Sequence, residues 1–354
     1  MTGVSLTGED DVMRDVVTSL SSIFGSAEIS SVDELTRGVS GTSVFRVHLD
    51  ALATGVTTAI MKVSAPGATG IRLEAAGEVT RELRVYGLAL TTEAAGCVCR
   101  PGLLASGGRS GVTWILLEDV GSALDVDWDL DSALAAMRGA AALEVDSAAT
   151  GRNEAWFVPR EHHSFEHHIG AARDSIELLR RTPELVHELG EQVDLEAVAS
   201  CLGAARGAAA ELDGAPHGFQ HGDLNNSNMG FGVDGALMLI DWAQAGMAPI
   251  GSDVAVFLSG FLGFGGHRGA LSQEEFDELI VAEYMGRHPG GATDDAIRRV
   301  VDLWSTSWAV EARLGAGLPA AWQMERTSPT RAFIIADVRE GLLRAVRAAE
   351  RLST

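Results

Sequence analysis

Apolar residues recur along this chain with two different periods, and the change of period divides it. Between residues 28 and 64 the pattern is that of strands. Ser43-Val-Phe-Arg-Val-His-Leu49 shows partial period-two alternation, and Thr57-Thr-Ala-Ile-Met-Lys-Val63 is a second β-rich run. Residues 71–90 switch to helical spacing, with Leu73, Val79, Leu83 and Tyr86 on related faces. Two more strands are expected at about 97–106 and 112–118, joined by Gly107-Gly-Arg-Ser-Gly111. A short amphipathic helix over 13–27 precedes this β-β-β-α-β-β order.

From Ala123 onward Ala-rich helical sequence dominates. The clearest helices are 131–144, 164–181 and 191–213, with a loop over 145–163. A hairpin interrupts them: Asn228-Met-Gly-Phe231, a turn at Val233-Asp-Gly235, then Ala236 to Ile240. Asp-Gly between apolar runs favours such a turn. Beyond 252 the chain is again helical, with loops around Gly286–Asp294 and Gly315–Thr330. At ~100–200 residues per domain, 354 residues suit two lobes. The pattern predicts an α+β fold with a β-rich lobe over 1–118 and a larger helical lobe over 119–354.

Composition alters this picture little. The chain is 46% hydrophobic and 21% charged, ordinary for a globular protein. The stretch Met247–Gly266 is apolar but broken by Asp253 and rich in Gly, so it is expected in a core rather than a membrane. The first twelve residues contain Glu9, Asp10 and Asp11 and no apolar run of the kind a signal peptide carries. Cys97, Cys99 and Cys201 have no metal-site spacing, and a reduced cytoplasmic setting suits them. A net charge of −22 argues against a nucleic-acid partner. It is compatible with a cationic small molecule as well as with plain solubility. Oligomeric state is not legible.

The chemistry is concentrated in His221-Gly-Asp-Leu-Asn-Asn-Ser-Asn228. Its spacing, H-x-D-x-x-x-x-N, is that of the catalytic loop of kinase-type phosphotransferases. Asp223 is placed to accept a hydroxyl proton or to orient that hydroxyl, and His221 to hold the loop's shape. The hairpin is expected to fold Asp241 back beside Asn228. An amide oxygen and a carboxylate there are hard ligands of the kind Mg2+ prefers. The bland alternative is a polar loop before a hairpin with coincidental spacing.

Lys62 is the only lysine in the chain and ends an apolar strand. An unpaired lysine in such a place is costly. The functional reading places it on nucleotide phosphates and pairs it with Glu82, or with Glu78 one turn earlier. The bland reading is an edge lysine facing solvent. Gly38-x-x-Gly41-Thr42-Ser43 is a strand–strand turn whose Ser40, Gly41 and Thr42 could let backbone N–H groups approach phosphates. It is not a Walker A loop. Trp114-Ile-Leu-Leu-Glu-Asp-Val120 ends where strands give way to helices, and its backbone from Leu116 to Glu118 could pair with adenine. Asp253 caps a helix or braces the catalytic loop. His162, His163, His167 and His168 read as an exposed helix face rather than a zinc site. Trp304, Trp308 and Trp322 read mostly as core, with Glu311 among them a candidate substrate contact.

Taken together, Gly38–Ser43, Lys62, Glu82, residues 116–119, HGDLNNSN and Ile240-Asp-Trp242 with Gly251-Ser-Asp-Val-Ala255 resemble the aminoglycoside phosphotransferase-like family, which includes choline and other small-molecule kinases. The resemblance implies a protein-kinase-like fold of a β-rich N-lobe with one main helix and a helical C-lobe, with ATP in the cleft. It implies Asp223 as catalytic base and Asn228 and Asp241 on Mg2+. Asp241 is followed by Trp242-Ala243, not Phe-Gly, and Met247-Ala-Pro-Ile250 follows six residues after Asp241. That leaves no room for an activation loop and disfavours a protein substrate. The expected activity is ATP-dependent phosphorylation of a hydroxyl on an antibiotic, an amino sugar or a choline-like alcohol, in resistance or in metabolism. A pseudokinase acting as a binding module is the other class. It predicts loss of Lys62, Asp223, Asn228 or Asp241, and all four are present.

Overall fold

The computed structural model describes residues 18, 29–37, 42–49, 57–64, 75–109, 112–145, 161–190, 192–287 and 294–354. The expected helix over 13–27 (apart from Thr18), Gly38–Gly41 and most of the expected loop over 145–163 lie outside the described residues. Two compact units are distinguished. One comprises Met1–Ala89, Cys99–Leu124 and Met238–Gln244; the other comprises Leu90–Val98, Asp125–Leu237 and Ala245–Thr354.

The first unit is built on an antiparallel sheet. Its strands are β1 (Ile29–Arg37), β2 (Thr42–Leu49), β3 (Thr58–Ser64), β5 (Leu103–Arg109) and β6 (Val112–Glu118), in the order β1-β2-β3-β6-β5. The apolar run Trp114-Ile-Leu-Leu117 is explained by β6 being interior to the sheet with both faces covered. Trp114 and Leu116 face Val47, Ala59 and Met61. Ile115 and Leu117 point the other way, toward Ile60 and toward Leu83 and Tyr86 of helix α1 (Ala75–Tyr86). Gly107 is required opposite Trp114, because a Cβ there would stand 2.5 Å from the indole.

The predicted strand over 97–106 is two pieces. Strand β4 (Val98–Cys99) ends before Pro101, which has no N–H to donate, and pairing resumes at Leu103. Helix α2 (Thr91–Ala94) precedes it and was not expected from the pattern.

The second unit is mainly helical. Its helices are α3 (Leu130–Glu144), α4 (Glu161–Arg181), α5 (Pro183–Leu189), α6 (Leu195–Asp213), α7 (Ser252–Gly260), α8 (Gln273–Arg287), α9 (Asp294–Trp304) and α10 (Pro329–Leu352). Helix α3 starts at a capping box in which Asp129 and Ser132 exchange side-chain-to-backbone bonds of 2.9 Å. On α6 the buried set Val198, Cys201, Leu202 and Ala205 has helical spacing. Val198, Cys201 and Leu202 pack with Ile176 and Leu179 of α4 and with Val338, Leu342 and Ala345 of α10. Ion pairs of Arg344 with Asp277 (2.8 Å) and Arg351 with Asp302 (2.6 Å) tie α10 to its neighbours.

The expected loop over Gly315–Thr330 is mostly helix. Beyond α9 the helical backbone runs through π-turns at Ser305–Ala309 and Arg313–Gly317 to Trp322. Gly315 and Gly317 are poor helix formers, but Leu314, Leu318 and Ala321 are buried in the same core as α10. Burial overrides propensity here.

Candidate functional site

In the first unit the sheet register fixes Lys62. It lies between Val44 of β2 and Ile115 of β6, so its side chain leaves the sheet on the Ile60 side, where α1 packs. Its Nζ lies 3.0 Å from both oxygens of Glu82 and 2.8 Å from Oδ1 of Asp241. Lys62 is 8% exposed and Glu82 1%. The backbone N–H of Trp242 donates to Glu82 at 3.4 Å, which anchors the residue after Asp241 on the same acid. Asp241 has φ 62°, in the left-handed region that Asp tolerates better than most residues. That turn aims its carboxylate at Lys62.

Burial alone would draw the pKa of Lys62 down. The Glu82 and Asp241 carboxylates outweigh burial and hold it above its ordinary value, so the ammonium stays charged. Burial pushes Glu82 up, against the pull of Lys62.

Leu116 sits in the ladder between Met61 and Ala105, and the Glu118 N–H donates to the Gly102 carbonyl at 2.8 Å. The donor at Glu118 is therefore engaged within the sheet, and the chain leaves the ladder at Asp119. Ser40 and Gly41 lie outside the described residues, and Thr42 opens β2.

In the second unit, strands β7 (His217–Gln220) and β10 (Gly246–Pro249) pair antiparallel and hold the loop 221–228 at one end. Gly222 turns the chain at φ 82°. Asp253, in the first turn of α7, accepts the N–H of His221 at 2.7 Å and of Gly222 at 2.8 Å. Its own N–H donates to the side-chain carbonyl of Gln220 at 2.8 Å. The Gln220 amide donates to Glu144 at the end of α3, which also accepts the Gly251 N–H at 2.8 Å. Glu144 is 1% exposed, and burial pushes its carboxyl well above the usual range.

Within the loop, Asp223 is oriented by two amides. Asn225 Nδ2 donates to its Oδ1 at 3.1 Å and Asn228 Nδ2 to its Oδ2 at 2.9 Å. The N–H of Asp223 donates to Nδ1 of the buried His221 at 3.3 Å. Because Asn228 turns its nitrogen to Asp223, its amide oxygen is directed away from that carboxylate. Asn228 offers an amide oxygen and Asp241, in the first unit, a carboxylate oxygen, each a hard donor of the kind Mg2+ prefers. Strands β8 (Met229–Phe231) and β9 (Leu237–Leu239) follow, and the Asp-Gly turn between them is closed by Gly232 N–H to Ala236 at 2.9 Å.

Glu311 is buried at 1% exposure between the two π-turns, and Trp304, seven residues earlier, is 2% exposed. The four histidines of 162–168 lie on α4, and their side chains are outside the described residues. Among the described residues no group of three or more His, Cys, Asp or Glu is gathered as for a metal. Glu144 and Gln220 were not anticipated. Gln220 adjoins the motif, but a single acid on an Ala-rich helix carries no local signal.

Residues 35–290 match the phosphotransferase enzyme family, APH. The chain belongs to this family. The resemblance read from its motifs is borne out, and so is the α+β, kinase-like fold. No match was found among curated proteins. Among solved structures, a choline/ethanolamine kinase family protein from Mesorhizobium loti superposes with a TM-score of 0.51 at 18% identity, covering 97% of this chain and 95% of that one. An amicoumacin kinase in complex with AMP-PNP, Ca2+ and Ami gives 0.54 at 15% identity, with 94% and 92% coverage. A spectinomycin phosphotransferase in complex with ADP and spectinomycin gives 0.52 at 12%, with 95% and 98% coverage. At these identities the likeness is one of fold. Among the described residues of this phosphotransferase no helix is long and apolar enough to cross a membrane.

Proposed function

We propose that this phosphotransferase transfers the γ-phosphoryl group of ATP to a hydroxyl of a small molecule. The observation that carries the reading is Asp223, whose carboxylate is aimed by two amides on a loop that Asp253 clamps from below. The acceptor oxygen attacks the γ-phosphorus, the bond to the β-phosphate oxygen breaks, and ADP leaves. Asp223 orients the attacking hydroxyl and takes its proton. Lys62, kept charged by Glu82, binds phosphate oxygens, and backbone N–H groups of the Ser40-Gly41-Thr42 stretch contribute further donors to them. Adenine pairs with backbone of the Leu116–Glu118 segment other than the Glu118 N–H, which the sheet engages. Asn228 and Asp241 are the residues that would hold Mg2+, which when bound would supply neutralisation of charge on the phosphates. The first unit thus serves the nucleotide and the second the acceptor.

A small acceptor is supported by the short path after Asp241. A single 3-10 turn, Trp242–Gln244, leads directly into β10, with no room between them for an activation loop. The net charge of −22 suits a cationic acceptor.

The test is Mg2+-dependent ADP release from ATP with a panel of aminoglycosides, other hydroxylated antibiotics, amino sugars and choline-like alcohols. Turnover that Asp223→Ala abolishes while ATP binding persists is the expected result. Failure of the wild-type chain to bind Mg2+–ATP sinks the proposal, and an unchanged cellular role for Asp223→Ala points instead to a binding module.

A further inference from the structure

Beneath the catalytic loop two buried acids share one amide. Gln220 donates through Nε2 to Oε1 of Glu144, and its side-chain carbonyl accepts the Asp253 N–H at 2.8 Å. Oε1 of Glu144 also accepts the Gly251 N–H at 2.8 Å. Glu144 and Gln220 together therefore dock the start of α7, where Gly251 has φ 100° and Asp253 stands in the first turn. Asp253 in turn clamps the N–H groups of His221 and Gly222, and His221 Nδ1 accepts the N–H of Asp223 at 3.3 Å. A chain of bonded residues thus runs from Glu144 to the proposed base.

The two acids are differently furnished. Each oxygen of Asp253 accepts a backbone N–H, and the first turn of a helix favours negative charge. The donors on Oε1 of Glu144 are an uncharged amide and an uncharged backbone N–H. Burial first, and then the charge of Asp253, push the Glu144 carboxyl well above its usual range, against the pull of the Gly251 N–H. Other titratable groups stand on the elements packed against α3. His217 of β7 has Nδ1 2.7 Å from the Ala215 carbonyl, and His221 follows that strand. On α8, Glu283 pairs with Arg138 of α3 at 3.0 Å, and Tyr284 is buried.

We infer that Glu144 is a positioning residue that holds the catalytic loop as a neutral acid, and that loss of its proton at high pH releases the loop and stops phosphoryl transfer. This rests on Asp223 acting on an acceptor hydroxyl, as proposed above. The ionised form places a second negative charge beside Asp253 in a dry interior, where like charges repel strongly. The start of α7, docked on Glu144 and Gln220, shifts in response, and the His221 and Gly222 N–H groups shift with Asp253.

The experiment follows kcat for ADP release against pH in wild type, Glu144→Gln and Glu144→Ala, with an acceptor from the panel above that is turned over. Wild-type kcat should fall at high pH. Glu144→Gln is a neutral isostere with an accepting oxygen, and its kcat should persist where that of wild type is lost. Glu144→Ala should lose roughly 10–100-fold in kcat at neutral pH, with the KM for ATP unchanged, and glutamine at this position should rescue the loss. Infrared difference spectra of wild type against Glu144→Gln read the charge without turnover and without the alanine variant. A neutral-carboxyl band present in wild type at neutral pH and missing in Glu144→Gln is expected. Coincident pH profiles of wild type and Glu144→Gln overturn the inference. So does a Glu144→Gln variant as slow as Glu144→Ala at neutral pH, or a carboxylate band in place of the neutral one. Wild type that binds no Mg2+–ATP is a different failure, that of the kinase reading, and the infrared band still decides the charge of Glu144.

Discussion

Replacing Asp253 with Asn tests the idea that one buried carboxylate holds the catalytic loop. Asp253 is 1% exposed and accepts two consecutive N–H groups, from His221 at 2.7 Å and Gly222 at 2.8 Å. An asparagine keeps the shape but has one carbonyl oxygen, so its NH2 must face the second N–H. The change removes a charge-assisted bond worth about 1.5–3 kcal/mol and leaves a buried donor unmade at about 1–3 kcal/mol. The sum is roughly 2.5–6 kcal/mol, or a fall in melting temperature of about 5–24 °C for a unit of this size. The released loop no longer fixes Asp223, and a displacement of about 1 Å costs roughly 100-fold in kcat. Calorimetry and ADP release read the two effects. Nucleotide binding through Lys62 and Glu82 should persist. A variant that melts within about 2 °C of wild type, smaller than the shift expected, and keeps its kcat would refute the bracing argument.

Three other substitutions probe the remaining constellations. Lys62→Met should weaken ATP binding and destabilise the protein by about 3–5 kcal/mol, because Glu82 is left charged and buried; adding Glu82→Gln should restore stability but not the KM for ATP. The raised pKa of Lys62 makes its stabilising contribution complete below pH 10.5 and lost as pH rises through the folded value, so wild type should lose melting temperature in strong alkali more steeply than that double variant. Glu144 is an acid whose folded pKa is raised, so its contribution is greatest below its ordinary value of 4.5 and declines as pH rises; Glu144→Gln should remove a slope of up to ~1.4 kcal/mol per pH unit from stability measured as pH rises above 4.5. Gly107→Ala should lower stability by about 1–3 kcal/mol through its clash with Trp114, read by thermal melting, with no change in the acceptor's KM once folded.

Where the readings diverged from the structure, the cause was long range. The Gly-containing stretch after Leu314 looked like a loop because glycine is a weak helix former, yet it is helical because its apolar residues fill a core shared with α10. Glu144 looked like any acid at a helix end, yet it underlies the loop 76 residues later through Gln220. Leu116 and Glu118 were read as backbone open to a ligand, yet sheet pairing had already engaged the donor at Glu118. None of these depends on neighbours in sequence, so no local period or motif registers them.

The sequence by itself determined the two periods, hence a β-rich part followed by a helical one, and the spacing that sets His221, Asp223 and Asn228 in one short loop. These are local facts, because strand alternation, turn chemistry and an eight-residue motif need only adjacent residues. The tertiary structure alone decided that Lys62 meets both Glu82 and Asp241, 20 and 179 residues away, and that Asp253 and Glu144 support the loop. Buried charges and polar groups require partners, and which partners they find is set by how sheet and helices pack, not by distance along the chain.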